Sequence, residues 1–228
     1  MNATYKDEIN LYIQFCSTFF KDSFILDHLQ NKLLLRLFQT LTVLDVISDY
    51  DEDTPKAVQN QAKKAKKSTF KLLYAIPTCE DLFISTCFRQ LSEELLKIVY
   101  AKIVDNSISK SNLSKLSYRN IWESGIKKTR QYQRDIQFKN DIDKINYIFK
   151  QKSDELHSKN SDTNNLTVYL QQIISDGSDF SERVLYSNIK IISEFTIDWL
   201  PRICALDVNL MTMAQRSLYL KMVTSLHT

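Results

Sequence analysis

The chain has 228 residues, 43% hydrophobic and 25% charged, with a formal net charge of +3, only two glycines (Gly125, Gly177) and three prolines (Pro55, Pro77, Pro201). Average usage would bring roughly 27 glycines plus prolines at this length. So few residues tolerant of tight turns exclude a dinucleotide-binding fingerprint, a P-loop, a kinase glycine-rich loop and a nucleophile elbow, and disfavour a many-stranded sandwich or barrel. An all-α protein remains, long enough for one sizeable core or two small ones.

Taken in chain order, Ile9, Tyr12, Ile13, Cys16, Phe19 and Phe20 are spaced by threes and fours, which predicts an amphipathic helix over Thr4 to Lys21. A leucine stripe through Leu26, Leu29, Leu33, Leu37, Leu41 and Leu44 predicts a second, closed by the acidic stretch at Asp49 to Asp53. Thr54-Pro55 starts a third, with a hydroxyl cap and proline at the first helical position. This helix reaches about Ile76 and carries Lys56, Lys63, Lys64, Lys66, Lys67 and Lys71 with no acidic residue among them. Pro77-Thr78 stops it, and a fourth helix runs from about Cys79 to Val104 with Phe83, Cys87, Leu91, Leu95 and Ile98 on one stripe.

Asp105 to Ser117 is rich in Ser, Asn and Lys and predicts a loop, followed by a short helix over Tyr118 to Gly125 and a basic stretch over 126–139. Ile142, Ile145, Phe149, Lys152 and Leu156 step by 3, 4, 3 and 4, so a helix is expected from about Asn140, ending at the polar run His157 to Asn165. A short helix over Leu166 to Ile174 follows. A long one is marked by Phe180, Val184, Ile192, Phe195 and Trp199, with Asn188 as its polar gap, and the last covers about Val208 to Val223. The expected architecture is an up-and-down helical bundle over 77–228, with residues 1–76 as N-terminal helices that are either separate or part of it. Neither repeats nor low-complexity stretches are visible.

The four cysteines (Cys16, Cys79, Cys87, Cys204) have no paired ligand spacing and read as reduced thiols. No signal segment or span of about 18 apolar residues stands out, so a soluble, cytoplasmic protein without membrane contact is expected. With only His28, His157 and His227 available and no ligand cluster, neither metal nor other cofactor is expected.

Two irregularities carry chemistry. Lys152 sits on the apolar stripe of its helix, with His157 five residues on at the mouth of a polar stretch. Arg89 and Glu93 lie one turn apart beside the Leu91/Leu95 stripe, at the spacing of an ion pair. Two basic segments, 56–71 and 127–139, suit a phosphate backbone. The second holds Lys127, Lys128, Arg130 and Arg134, with Tyr132 among them as a ring on which a base can stack.

Cys87-Phe88-Arg89-Gln90-Leu91-Ser92-Glu93-Glu94-Leu95-Leu96 resembles the Arg-x3-Glu helix of bacterial HEPN-type proteins. Lys152-Ser153-Asp154-Glu155-Leu156-His157-Ser158 resembles their later helix end, where the family usually has Arg, four to six residues, His and a small residue. The resemblance spans roughly residues 78–225. It implies a HEPN-like bundle, often dimeric, whose active members are metal-independent ribonucleases of toxin–antitoxin, abortive-infection and CRISPR systems. In that reading His157 moves protons in cleavage at the 2′-hydroxyl, Lys152 (where the family has Arg) and Arg89 offset phosphate charge, and Glu93 orients a cation.

On a continuous helix Lys152 and His157 lie about 140° apart, so they converge only if the helix ends before His157 or a second copy supplies one of them. Two functions follow: an RNA-cleaving defence or toxin effector, or a non-catalytic helical module that binds RNA or a protein partner such as an antitoxin. The Leu26–Leu44 stripe adds a third expectation, that of an oligomer interface.

Overall fold

The computed structural model describes residues 5–21, 23, 31–50, 54–159 and 181–225, with the side chains of 157–159 excepted. Every regular element among these residues is helical. α1 (Lys6–Phe19) buries Ile9, Tyr12 and Cys16, and the Tyr12 hydroxyl donates to the carbonyl of Leu73 at 2.7 Å. α2 (Asn31–Asp49) buries Leu33, Leu34, Leu37, Leu41 and Leu44. The described part of the leucine stripe, expected as an oligomer interface, is therefore buried inside its own chain. Leu26 and Leu29 lie outside the described residues.

α3 (Lys56–Ala75) starts one residue later than the Thr54-Pro55 pair predicts, with Pro55 at the cap position and no side-chain cap. A 3-10 turn (Ile76–Thr78) and Cys79, at a left-handed φ of 53°, reverse the chain into α4 (Asp81–Val99). Small residues on α3, Ala57, Ala62, Ala65 and Ser68, are buried in the bundle, where α3 packs on both α2 and α4. α4 presents Ile84, Cys87, Phe88, Leu91, Leu95 and Ile98 to the core, and a π-helical turn (Tyr100–Val104) ends it.

The stretch expected to be a loop contains α5 (Lys110–Lys115), because Ser109 caps it and Leu113 is buried. α6 (Tyr118–Trp122), a 3-10 turn (Ile126–Lys128) and α7 (Arg130–Arg134) follow, with Ser117 and Thr129 capping α6 and α7. α8 (Ile136–Lys159) begins four residues earlier than its apolar period indicates. The carboxylate of Asp135 accepts from the Phe138 amide at 2.9 Å, which fixes that start.

The expected helix Leu166–Ile174 lies outside the described residues. α9 (Glu182–Asp198) buries Leu185, Asn188, Ile189, Ile192 and Phe195, whereas Val184 faces out. Pro201 falls inside the short α10 (Leu200–Ile203), and α11 (Met213–Ser225) starts later than predicted.

α2 packs on α3, α3 on α4, α4 on α8, α8 on α9, and α9 back on α2, a closed ring of five helices with α1 and α11 laid against α2. One continuous apolar core runs from Tyr5 to Met222, so the N-terminal helices and residues 77–228 share it. No described helix is long and apolar enough to cross a membrane.

Candidate functional site

The two helices that carry the HEPN-like motifs, α4 and α8, pack against each other in antiparallel fashion. Arg89 Nε donates to Ser153 Oγ at 3.2 Å, and four residues earlier on α4 Ser85 Oγ donates to Glu155 Oε2 at 3.0 Å. The Arg89 guanidinium lies 5.6 Å from the centre of the Phe149 ring and 3.8 Å from Glu93, whose other oxygen accepts from buried Lys97 at 2.6 Å. Glu93 thus holds two cations, and Arg89 is fixed from both sides of the seam.

Lys152 is 4% exposed. Its ammonium donates to both Glu155 oxygens, at 2.9 and 2.7 Å. A buried ammonium is costly unless paired, and the carboxylate three residues on supplies the pair within the same helix. The helix does not end before His157: α8 stays helical through Lys159. Within one protomer, positions 152 and 157 therefore face about 140° apart, and Lys152 is already engaged. Position 157 is instead one helical turn beyond Ser153, the residue that Arg89 grips. The histidine side chain lies outside the described residues.

The second basic segment spans the connector between α4 and α8 and the first turn of α8. Residues 106–140 hold eight Lys and Arg against two carboxylates, Glu123 and Asp135, while the whole chain nets only +3. Lys127 is paired with Glu123 at 2.9 Å. Lys128, Arg130 and Arg134 are exposed and have no side-chain hydrogen bond or ion pair among the described residues. Arg130, Arg134 and Ile136, the last 76% exposed, line an open depression on this surface.

Tyr132 behaves differently from the stacking platform expected of it. Its hydroxyl donates to Asp143 at 2.9 Å, its ring meets Trp122 edge-on at 5.8 Å, and Lys139 covers it at 5.5 Å. Burial, with the Asp143 carboxylate as acceptor, pushes its pKa up to about 12. It anchors the connector to α8. The lysines of α3 are less free than their number suggests, since Lys63 and Lys66 pair with Asp49 and Asp45 of α2.

Three residues of the seam carry no role in the sequence alone: Ser85, Ser153 and Glu155. Glu155 has a legible signal, its i, i+3 spacing from Lys152. Ser85 and Ser153 have none, because their partners lie 70 and 64 residues away. No group of three His, Cys, Asp or Glu side chains among the described residues is placed to hold a metal ion. Compared with known proteins, the chain matches no family model, no curated sequence and no solved structure.

Proposed function

We propose that this chain is a HEPN-like helical module that binds RNA through the connector 106–140 and does not cut it within a single protomer. The observation that carries this reading is the segregation of charge: residues 106–140, the connector with the first turn of α8 and bounded by Asp105 and Asp141, net six positive charges while the rest of the chain nets three negative ones. Lys128, Arg130 and Arg134 stand on it in solvent, without acidic partners among the described residues. Free guanidinium and ammonium groups track a phosphate backbone through charge and counterion release, with no need for a catalytic constellation. The resemblance to HEPN-type proteins supports RNA as the polyanion and a cytoplasmic defence or toxin system, with an antitoxin-like protein partner, as the setting.

The test is filter binding of a single-stranded RNA to wild type, to Arg130→Glu/Arg134→Glu, and to Lys63→Glu/Lys67→Glu on α3. The first double variant is expected to weaken binding by at least about tenfold and the second to change it little. Equal losses from both would show that net charge alone, rather than the connector, attracts RNA.

One observation favours a second reading, metal-independent RNA cleavage: Arg89 bonds Ser153, one turn before position 157, so a cation and the histidine position share one face of α8. In that reading Arg89, held by Glu93, offsets phosphate charge, His157 moves the proton of the 2′-hydroxyl, and Lys152 only supports the fold. Incubation of RNA with wild type in a metal chelator, beside His157→Ala, Arg89→Ala and Lys152→Met, tests it. Cleavage lost in the first two variants and kept in the third supports this reading, and intact RNA with wild type ends it.

A further inference from the structure

Residues 106–140 contain four aromatic rings, Tyr118, Trp122, Tyr132 and Phe138. Each is buried or already engaged. Trp122 is 1% exposed, and Phe138 is buried against Trp199 with 5.1 Å between ring centres. Tyr118 stacks on Phe149 at 4.8 Å, donates its hydroxyl to Asn146 Oδ1, and lies under the Lys150 ammonium at 5.9 Å. Tyr132 meets Trp122 edge-on and is covered by Lys139. Ile136, the exposed apolar residue of the depression, has no ring to offer.

The cations of the same stretch are placed the opposite way. Seven of the eight are exposed, all but Lys127, and they are carried on α5, α6, the 3-10 turn, α7 and the first turn of α8. The space between Arg130 and Arg134 is an open depression and not an enclosed groove. Phosphate contacts are therefore plentiful on this surface, and platforms for bases are lacking.

That combination discriminates between the two forms of RNA. Proteins that take single strands seat unstacked bases on aromatic rings along a charged groove, and much of their affinity comes from that stacking. A single strand also releases fewer counterions per contact than a duplex, about 0.7 against about 0.9. A duplex keeps its bases stacked inside and presents backbone and shape, which charged side chains grip without rings. Resting on the reading of the connector as the RNA surface, we propose that its ligand is double-stranded RNA, held by the phosphate backbone irrespective of sequence.

The experiment is fluorescence anisotropy of the full chain with two labelled RNA duplexes of unrelated sequence, each of about 16 base pairs, and with their separate, non-self-pairing strands. Each duplex is expected to bind at least about threefold tighter than its own strands at the same salt, the two duplexes to agree within about twofold, and the duplexes to show the steeper salt dependence. Arg130→Glu/Arg134→Glu is expected to weaken duplex binding at least about tenfold. Tyr147 on α8 is 64% exposed and lies beyond the basic stretch, and Tyr147→Ala is expected to change neither affinity. The wild-type comparison decides the matter even if a variant fails to fold. Single strands bound as tightly as duplexes, two duplexes of clearly different affinity, or single-strand binding lost in Tyr147→Ala would each overturn the proposal and leave the connector standing as an RNA surface. Binding of neither form would overturn both.

Discussion

The Lys152 ammonium is held by both oxygens of Glu155, and Glu155 in turn accepts from Ser85 across the seam. Glu155→Gln leaves this ammonium buried with a neutral partner, and the expected cost is about 2 kcal/mol in urea unfolding, below the range for a wholly buried pair because Glu155 is partly exposed. Lys152→Met/Glu155→Gln should recover most of it, since an apolar side chain suits the stripe. Glu94 offers a pH test. Burial pushes its carboxyl pKa up against the pull of Lys97 and Lys64. The protonated form therefore suits the fold, and stability present below the ordinary carboxylate value of about 4.3 is lost as pH rises through the raised one. Glu94→Gln is expected to unfold at higher urea than wild type at pH 7 and at nearly the same urea near pH 4. At this scale the anomaly of Lys152 is legible from spacing alone. The hydroxyl of Ser85, 70 residues from Glu155, becomes a partner only once α4 and α8 pack.

The limits of α8 depend on single residues. Asp135 caps its first turn through the Phe138 amide, and Asp135→Ala is expected to cost about 1 kcal/mol. The same change removes one of two carboxylates from the connector, so RNA binding should tighten while the melting temperature falls. A loss of both would argue against the connector as the RNA surface. Gly125 marks a close approach: a Cβ there would lie 2.6 Å from the Ile121 carbonyl oxygen and 2.6 Å from the Tyr100 ring. Gly125→Ala is expected to destabilise by about 1–3 kcal/mol in the same assay, as the π-helical turn and α6 are forced apart. Apolar period locates the middle of each long helix well and the ends poorly. α8 starts at Ile136, an exposed residue that adds nothing to the buried stripe, and it runs on through the polar residues 157–159 because none of them is Gly or Pro. α5 is hidden for a similar reason, with one buried side chain, Leu113, in six residues.

Across the whole molecule the helical class and most of the core are legible, because scarce glycine and three-four spacing leave few alternatives. Closure of the ring is not: α9 returns to α2 across more than 130 residues of chain, and that return buries the leucines that sequence alone offers to a partner. Charge separates on the same scale, with cations gathered on a connector made of short capped helices and the acidic excess elsewhere. The most direct measurement is the affinity of the full chain for a single-stranded RNA as a function of salt concentration, for wild type and Arg130→Glu/Arg134→Glu. With Lys128, Arg130, Arg134 and Lys139 as about four phosphate contacts, the logarithm of the binding constant should fall with the logarithm of salt with a slope of about −3, and the slope should be markedly shallower in the variant. Binding independent of salt, or a variant with the same slope and affinity as wild type, would contradict the assignment of this surface to RNA.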